Sequence, residues 1–355
     1  MFENQNSRTE LSSIGEFGLI KHLTQFIELK NESSVKGAGD DAAVIDYKSS
    51  GGSSAQTLVS TDMLVEGVHF DLAYAPLRHL GYKAVIVNLS DIYAMNGTPR
   101  QILVSIALSN RFSLEAVEEL YSGINLACER YGVDLVGGDT TSSPSGLIIS
   151  ITAIGEADKK KIVCRDGAKE SNLLCVSGDL GGAYVGLQLL EREKKIYKEN
   201  PGIQPDLGGN DYILERQLKP EARKDLPLIF EGLKIIPTAM IDVSDGLASE
   251  ILHICSQSGV GCNLYEEKIP IDPMTYNRAR EFNLDPTTCV LNGGEDYELL
   301  FTVDISHYEN IKEHADISII GHITDAASGC NLVSKSGTVH PLKAQGWDAF
   351  LKKNE

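Results

Sequence analysis

Between residues 16 and 29 apolar side chains recur every three to four positions, at Phe17, Leu19, Ile20, Leu23, Phe26 and Ile27, and a polar run over 30–34 stops them. That spacing predicts a helix. Runs at 42–46 and 57–65 predict two strands joined by the Ser- and Gly-rich stretch 47–54, a surface hairpin. Pro76 suits the first turn of a helix reaching about Met95, where Asn96-Gly97-Thr98-Pro99 ends it. Within it Ala84, Asn88, Asp91 and Met95 share one face, so an amide and a carboxylate on an apolar stripe must find partners there.

The same reading gives a strand over 101–108, a helix over 113–131, a short strand over 134–136 ending at Gly137-Gly138, and a strand over 147–154. A charged turn over 158–161 reads as a solvated boundary. Beyond it come a strand over 173–176, a glycine-rich turn over 177–182 and a helix over 183–193. Pro201 and Pro205 mark 195–210 as a loop. A strand over 238–241 runs into Asp242-Val243-Ser244-Asp245-Gly246, a helix follows over 247–256, and strands are expected at 297–303 and 317–321. No tandem repeat is visible, and the mixture of strands and helices is α/β without a strict βαβ alternation.

A chain of 355 residues, 42% of them hydrophobic, can bury a sizeable core, and its length favours two domains. Its formal charge of −18 argues against nucleic acid and against an anionic membrane surface. Residues 1–13 lack the basic and apolar regions of a signal peptide, and no apolar run approaches the ~18 residues needed to span a bilayer. Seven cysteines without a C-x-x-C pair suggest reduced thiols in a cytoplasmic protein, rather than a disulfide framework or a zinc site.

Candidate chemistry lies in six acidic clusters set among small residues: Gly39-Asp40-Asp41, Ser60-Thr61-Asp62, Ser90-Asp91, Gly137-Gly138-Asp139-Thr140-Thr141, Asp242-Val243-Ser244-Asp245-Gly246 and Gly293-Gly294-Glu295-Asp296. Carboxylates beside small residues suit magnesium. If the fold gathers them, repulsion reaches about 4 kcal/mol per close pair at an effective dielectric of 20, so a cation is nearly obligatory. The absence of any Gly-Lys dipeptide excludes a Walker A loop. Gly37-Ala38-Gly39-Asp40-Asp41-Ala42 precedes its strand instead of following it, the reverse of a dinucleotide fingerprint. The ligand order of an EF-hand is absent around Asp242. Taken singly, each residue has a plainer reading: Asp245 as a helix cap, His69 as a structural histidine, Trp347 as a packing anchor and Arg165 as half of a surface salt bridge.

Taken in order, Gly39-Asp40-Asp41-Ala42-Ala43, Ser60-Thr61-Asp62 with His69, Asn88-Leu89-Ser90-Asp91-Ile92, Gly137-Gly138-Asp139-Thr140-Thr141, Asp242-Val243-Ser244-Asp245-Gly246-Leu247 and Gly293-Gly294-Glu295-Asp296-Tyr297-Glu298-Leu299 resemble the thiamine-monophosphate kinase family over nearly the whole chain. The resemblance implies an ATP-dependent transfer to thiamine phosphate and the fold of aminoimidazole ribonucleotide synthetase. Residues 1–158 would form an α+β, ATP- and magnesium-binding domain whose mixed or antiparallel sheet pairs in a homodimer, and residues 159–355 an α/β domain completing the site. It further implies a shell for several Mg2+ ions from Asp40, Asp41, Ser60, Thr61, Asp62, Asp91, Asp139, Asp242 and Asp245. ATP would be contacted by Asp41, Tyr121, Gly138, Asp139, Arg165 and Ser244, and thiamine phosphate by His69, Glu295 and Trp347. No protein nucleophile is expected. Two competing readings are a synthetase of the same superfamily, disfavoured because no cysteine precedes Cys128, and an acidic metal-buffering protein without catalysis.

Overall fold

The computed structural model describes residues 13–47 and 55–345. Two mixed sheets organise it. The first has six strands in the order β1-β2-β3-β6-β4-β5, formed by Ser34–Lys36, Ala43–Ile45, Ala55–Val65 (β3), Thr98–Leu108 (β4), Asp134–Ser142 (β5) and Leu147–Asp158 (β6). β6 pairs antiparallel with β3 and β4, while β4 pairs parallel with β5 at the sheet edge. Of the helices here, α1 (Gly15–Thr24) precedes the sheet, and α2 (Leu77–Ala94) and α3 (Leu114–Tyr131) pack together, α2 lying on β3, β4 and β6. Most of α2 is buried, which fits a helix apolar on nearly every side.

The second sheet follows the order β13-β12-β9-β11-β7-β10-β8, from Leu173–Ser177 (β7), Ala239–Asp242 (β8), Gly261–Tyr265 (β9), Leu299–Val303 (β10), Ile317–Thr324 (β11), Cys330–Val333 (β12) and Val339–Pro341 (β13). Its helices are α4 (Gly182–Glu199), α5 (Asp211–Leu218), α6 (Leu226–Leu233), α7 (Leu247–Ser258), α8 (Pro273–Glu281) and α9 (Pro286–Asn292). The apolar core does not break between the sheets. Met240 and Phe301 join the cluster that contains the α2 and α3 residues, and Phe230 meets Phe301 edge-on at 5.0 Å. Ala239 and Ile241, alternating with Met240 along β8, face a second core under α7.

Three elements depart from the sequence pattern. The strand expected to stop at residue 136 continues to Ser142, because β4 keeps pairing with it across a register shift between Ile102 and Leu103. Gly138 permits this: a Cβ there would lie 1.8 Å from the Val104 carbonyl oxygen. The helix expected to end near residue 193 runs to Glu199, carried by strong helix formers until the prolines intervene, so the loop begins later than residue 195. Conversely, α1 ends at Thr24 instead of reaching residue 29. None of its residues is buried; the Phe17 ring meets His253 at 4.5 Å but stays exposed, and a helix packed so lightly gains little from propensity alone. All seven cysteines are free thiols, and no described helix is long and apolar enough to cross a membrane.

Candidate active site

The two-residue period of β3 decides which of its polar groups can work together. Ser60 and Asp62 face α2: the Ser60 hydroxyl donates to Asp91 Oδ2, and the Asp62 N–H donates to Asn88 Oδ1 at 2.9 Å. Asn88 in turn donates to the Ala84 carbonyl at 3.0 Å, which settles how the amide on the apolar stripe is satisfied. Thr61 faces the other side of the sheet, where its hydroxyl donates to the Ile151 carbonyl and accepts from Thr152. Its side chain is therefore not brought into the expected metal shell. At the end of β8, Asp242 accepts from Ser90 Oγ at 2.6 Å. Carboxylate oxygens of Asp41, Asp91 and Asp242 lie within 4.8 Å of one another, and Asp62 is hydrogen-bonded to Asp91. Four acids from four separate stretches of chain thus converge.

This convergence shows in their protonation. Burial, and then the charges of Asp62, Asp242 and Asp41, push Asp91 well above the usual carboxylate range. Asp242 is pushed up to about 7 by burial first and Asp41 second. Asp41 and Asp62 are also raised, chiefly by burial. In contact with the group stands Arg165, whose Nη2 and Nε reach Asp41 Oδ1 and Oδ2 at 2.6 and 3.2 Å. The plainer reading of Arg165 as a surface bridge gives way to a partly buried, two-pronged pair inside the site. Asp40 turns elsewhere: it accepts the Arg165 backbone N–H, pairs with Lys36 and groups with Cys164 and Asp166, outside the converging acids.

Beside the acids opens a cavity of about 650 Å³, lined by Asp62, His69, Ser244, Asp245 and Glu295 on its polar side and by Met63, Phe70, Tyr74, Val87 and Leu187 on its apolar side. Two loops make its polar rim. Glu295 N–H donates to the Ser244 carbonyl at 2.7 Å, and Tyr297 N–H to the Val243 carbonyl at 3.0 Å, clamping one loop on the other. Glu295 and Tyr297 adopt φ of +58° and +52°, a left-handed conformation costing on the order of 1–3 kcal/mol each and concentrated at functional sites. Asp245 does not cap α7. Its own N–H is taken by Glu250 Oε1 at 2.9 Å, and burial, then Glu16, raises its carboxyl to about 6. His69 Nδ1 accepts the Val65 N–H at 3.0 Å, which leaves the ring proton on Nε2, and burial lowers the imidazole's pKa, so it is neutral near pH 7.

Two groups at the site escaped the sequence reading. Lys83, buried on α2, reaches Glu295 Oε1 at 2.7 Å and the Gln217 carbonyl at 3.1 Å, and Gln217 Nε2 donates to Glu295 Oε2 at 2.8 Å. Buried Gln217 Oε1 has no protein partner. A lysine in the mostly buried helix α2 was the available signal for Lys83. Other expected residues lie apart. Tyr121 packs on the first core, Gly138 and Asp139 stand on the exposed edge strand β5, and Trp347 lies outside the described residues. In the glycine turn over 177–182, the N–H groups of Gly178, Leu180 and Gly181 are taken by the Asp316 carbonyl, the Pro270 carbonyl and buried Asp296.

Residues 39–157, which carry most of the first sheet, match the model of the AIR synthase related protein, N-terminal domain. The match to thiamine-monophosphate kinase of Bacillus subtilis (strain 168) is 34% identical and covers 94% of this chain and 99% of that one, and the match to the enzyme of Aquifex aeolicus (strain VF5) is 35% identical over 82% and 87%. The solved structure of AaThiL complexed with AMPPCP and TMP superposes with a TM-score of 0.80 at 32% identity, covering 96% of this chain and 99% of that chain. The chain belongs to the thiamine-monophosphate kinase family.

Proposed function

We propose that this protein transfers the γ-phosphoryl group of ATP to thiamine phosphate, giving thiamine diphosphate and ADP. Supporting this reading are family membership, with a homologous structure complexed with AMPPCP and TMP, and above all one observation: four acids converge beside a cavity that Asp62 lines together with a set of apolar side chains. Cations held by the acid group would neutralise the donor phosphates, and the apolar side chains of the cavity would suit an acceptor's rings.

The donor set fits magnesium. Oxygens of Asp41, Asp62, Asp91 and Asp242 converge with one guanidinium to offset them, and burial has already driven Asp91 and Asp242 toward protonation. Those residues, with Ser60 and with Asp245 across the cavity rim, would hold Mg2+, and Asp139 would join them from β5. Bound there, Mg2+ would screen the repulsion between two polyanions and stabilise charge on the group in transfer. The chain's own residues do the positioning. Arg165, two-pronged on Asp41, can exchange that carboxylate for a phosphate of similar geometry. Neutral His69 presents an N–H donor, and Lys83 and Gln217 fix the Glu295 carboxylate at the cavity wall. Ser244 shares that rim with Glu295, while Tyr121 and Gly138 would contact ATP from their own faces, and Trp347 the acceptor.

Because the acceptor oxygen of a phosphate monoester is ionised near neutral pH, no general base is needed. One P–O bond to the departing ADP breaks as another forms to the acceptor, in line, with no phospho-enzyme. Residues 1–158 would supply ATP binding and dimerisation and residues 159–355 the rest of the site, in a cytoplasmic homodimer. Support for the dimer comes from β5, bonded on one side and exposed along its whole length, and from the exposed apolar residues Phe17, Ile20 and Leu23 of α1. An unpaired edge is a template for a further strand.

A coupled assay with ATP, Mg2+ and thiamine phosphate tests the reading, with the aminoimidazole precursor and selenide as comparison acceptors. Thiamine diphosphate is the expected product; its absence would overturn the assignment.

A further inference from the structure

The spacing of the cysteines along the chain gives no metal signature, yet the fold brings three of them together. Sulfur atoms of Cys255, Cys262 and Cys330 lie within 4.8 Å of one another, and the three thiols hydrogen-bond among themselves. The arrangement follows from the backbone. Cys330 opens β12 directly opposite Cys262 on parallel β9, so both side chains leave the same face of the sheet. Cys255, in the last turn of α7, is carried onto that face by the tight turn at Gly259, which returns the chain into β9. Cys255 and Cys262 are buried in the second core, whereas Cys330 is partly buried at its margin. The site is remote from the converging acids: β8, which carries Asp242, forms the opposite edge of the seven-stranded sheet.

We propose that Cys255, Cys262 and Cys330 form a binding site for one thiophilic d10 cation, Zn2+ or Cu(I), distinct from the acid group. Three sulfurs on rigid elements, with no histidine or carboxylate in the group, select soft cations and reject magnesium. Binding replaces thiol protons by metal–sulfur bonds and releases those protons to solvent, with no change of oxidation state. Zn2+ would complete a four-coordinate shell with water on the Cys330 side, while Cu(I) is served by the three sulfurs alone.

The test titrates reduced, EDTA-treated full-length protein with Zn2+ against a chromophoric chelator, and anaerobically with Cu(I) against bicinchoninate. One ion per chain is expected for at least one of the metals, its affinity falling about 100-fold or more in Cys330→Ser, which alters a partly buried side chain and should fold. Cys128→Ser, a lone thiol on α3, should bind as the parent does. X-ray absorption of the loaded protein should count three sulfur neighbours, plus a light atom for Zn2+ and none for Cu(I). Failure of both metals to bind, unchanged affinity in Cys330→Ser, equal loss in Cys128→Ser, or fewer than three sulfurs would each overturn the site. Because the readout is metal binding, the outcome is independent of the kinase activity.

Discussion

Among the described residues, two of the groups of buried acids are built on opposite principles. Around Asp296 and Glu298 the chain supplies its own cations. Arg216 and Arg223 reach the two Glu298 oxygens at 3.0 and 2.7 Å, Ser177 donates to the same carboxylate at 2.6 Å, and Asp296 takes the Gly181 N–H while Arg216 stands 3.6 Å away. Around Asp91 and Asp242 the chain supplies carboxylates and hydroxyls with Arg165 alone beside them. In the first arrangement two guanidiniums offset two carboxylates, although buried Arg216 Nε has no partner and burial still raises Asp296 to about 6. The second has one guanidinium for four acids, and on the proposed reading an entering cation supplies the rest, a difference that would distinguish a ligand site from a structural ion-pair network.

Neutralising one acid at each place should separate the two. Asp242→Asn is expected to lower kcat/KM about 10⁴-fold, about 5.5 kcal/mol of transition-state stabilisation. Melting of the metal-free protein should move upward or stay level, because a charge leaves a crowded, buried group. Steady-state kinetics together with differential scanning calorimetry check both halves, and a large loss of stability in this variant would mean the acids are structural. In the other group the sign reverses. Arg216→Met leaves Glu298 and Asp296 buried with half their compensation, and unfolding should become easier by about 3–5 kcal/mol, read from urea denaturation. A variant as stable as the parent would erase the contrast.

Acidity sharpens the comparison further. Asp242 at about 7 and Asp245 at about 6 lie above the ordinary carboxylate value, so the folded protein binds protons that the unfolded chain has released. Their stabilising contribution is whole below the unfolded pKa and is lost as pH rises through the folded pKa. Without divalent cations the melting temperature should therefore fall, by roughly 5 °C, between about pH 4 and about pH 7. Saturating Mg2+ should flatten or reverse that slope, because it takes the deprotonated form. Thermal melts across pH with EDTA and with Mg2+ would show it, and parallel curves would remove the metal from the argument.

How far the sequence anticipated these two groups depends on the distance over which each is assembled. The metal candidates were legible because each sits in a short local pattern, an acid beside glycine or serine at the end of a strand or helix, as in Asp242-Val243-Ser244-Asp245-Gly246. Long apolar elements such as α2 and β6 were legible for the same local reason. The ion-pair network was invisible, since Glu298 meets Arg216 and Arg223 across more than seventy residues and no spacing records it. Lys83 and Gln217 were missed likewise: their partner Glu295 lies 212 and 78 residues further along the chain. Short strands such as β1, β12 and β13 owe their existence to pairing and not to their own composition.

Within one motif the period of a strand finally decides what a pattern could only group. Ser60, Thr61 and Asp62 read as a unit in the sequence, but the pleat sends the middle side chain to the opposite face, where Thr61 bonds Ile151 and Thr152. A role for Thr61 in holding cations would then pass through its backbone, which a side-chain change leaves intact. Thr61→Val, similar in shape and suited to a strand, is expected to change kcat/KM by less than about threefold, below about 0.7 kcal/mol. Ser60→Ala removes the donor that orients Asp91 and should cost about tenfold, near 1.4 kcal/mol, with the apparent Mg2+ requirement shifted upward. The pair of rates, measured across a Mg2+ titration, reads the geometry directly: equal losses would mean that the strand turns in the working state so that both hydroxyls face the acids, whereas loss confined to Ser60 keeps the site on the α2 side of β3.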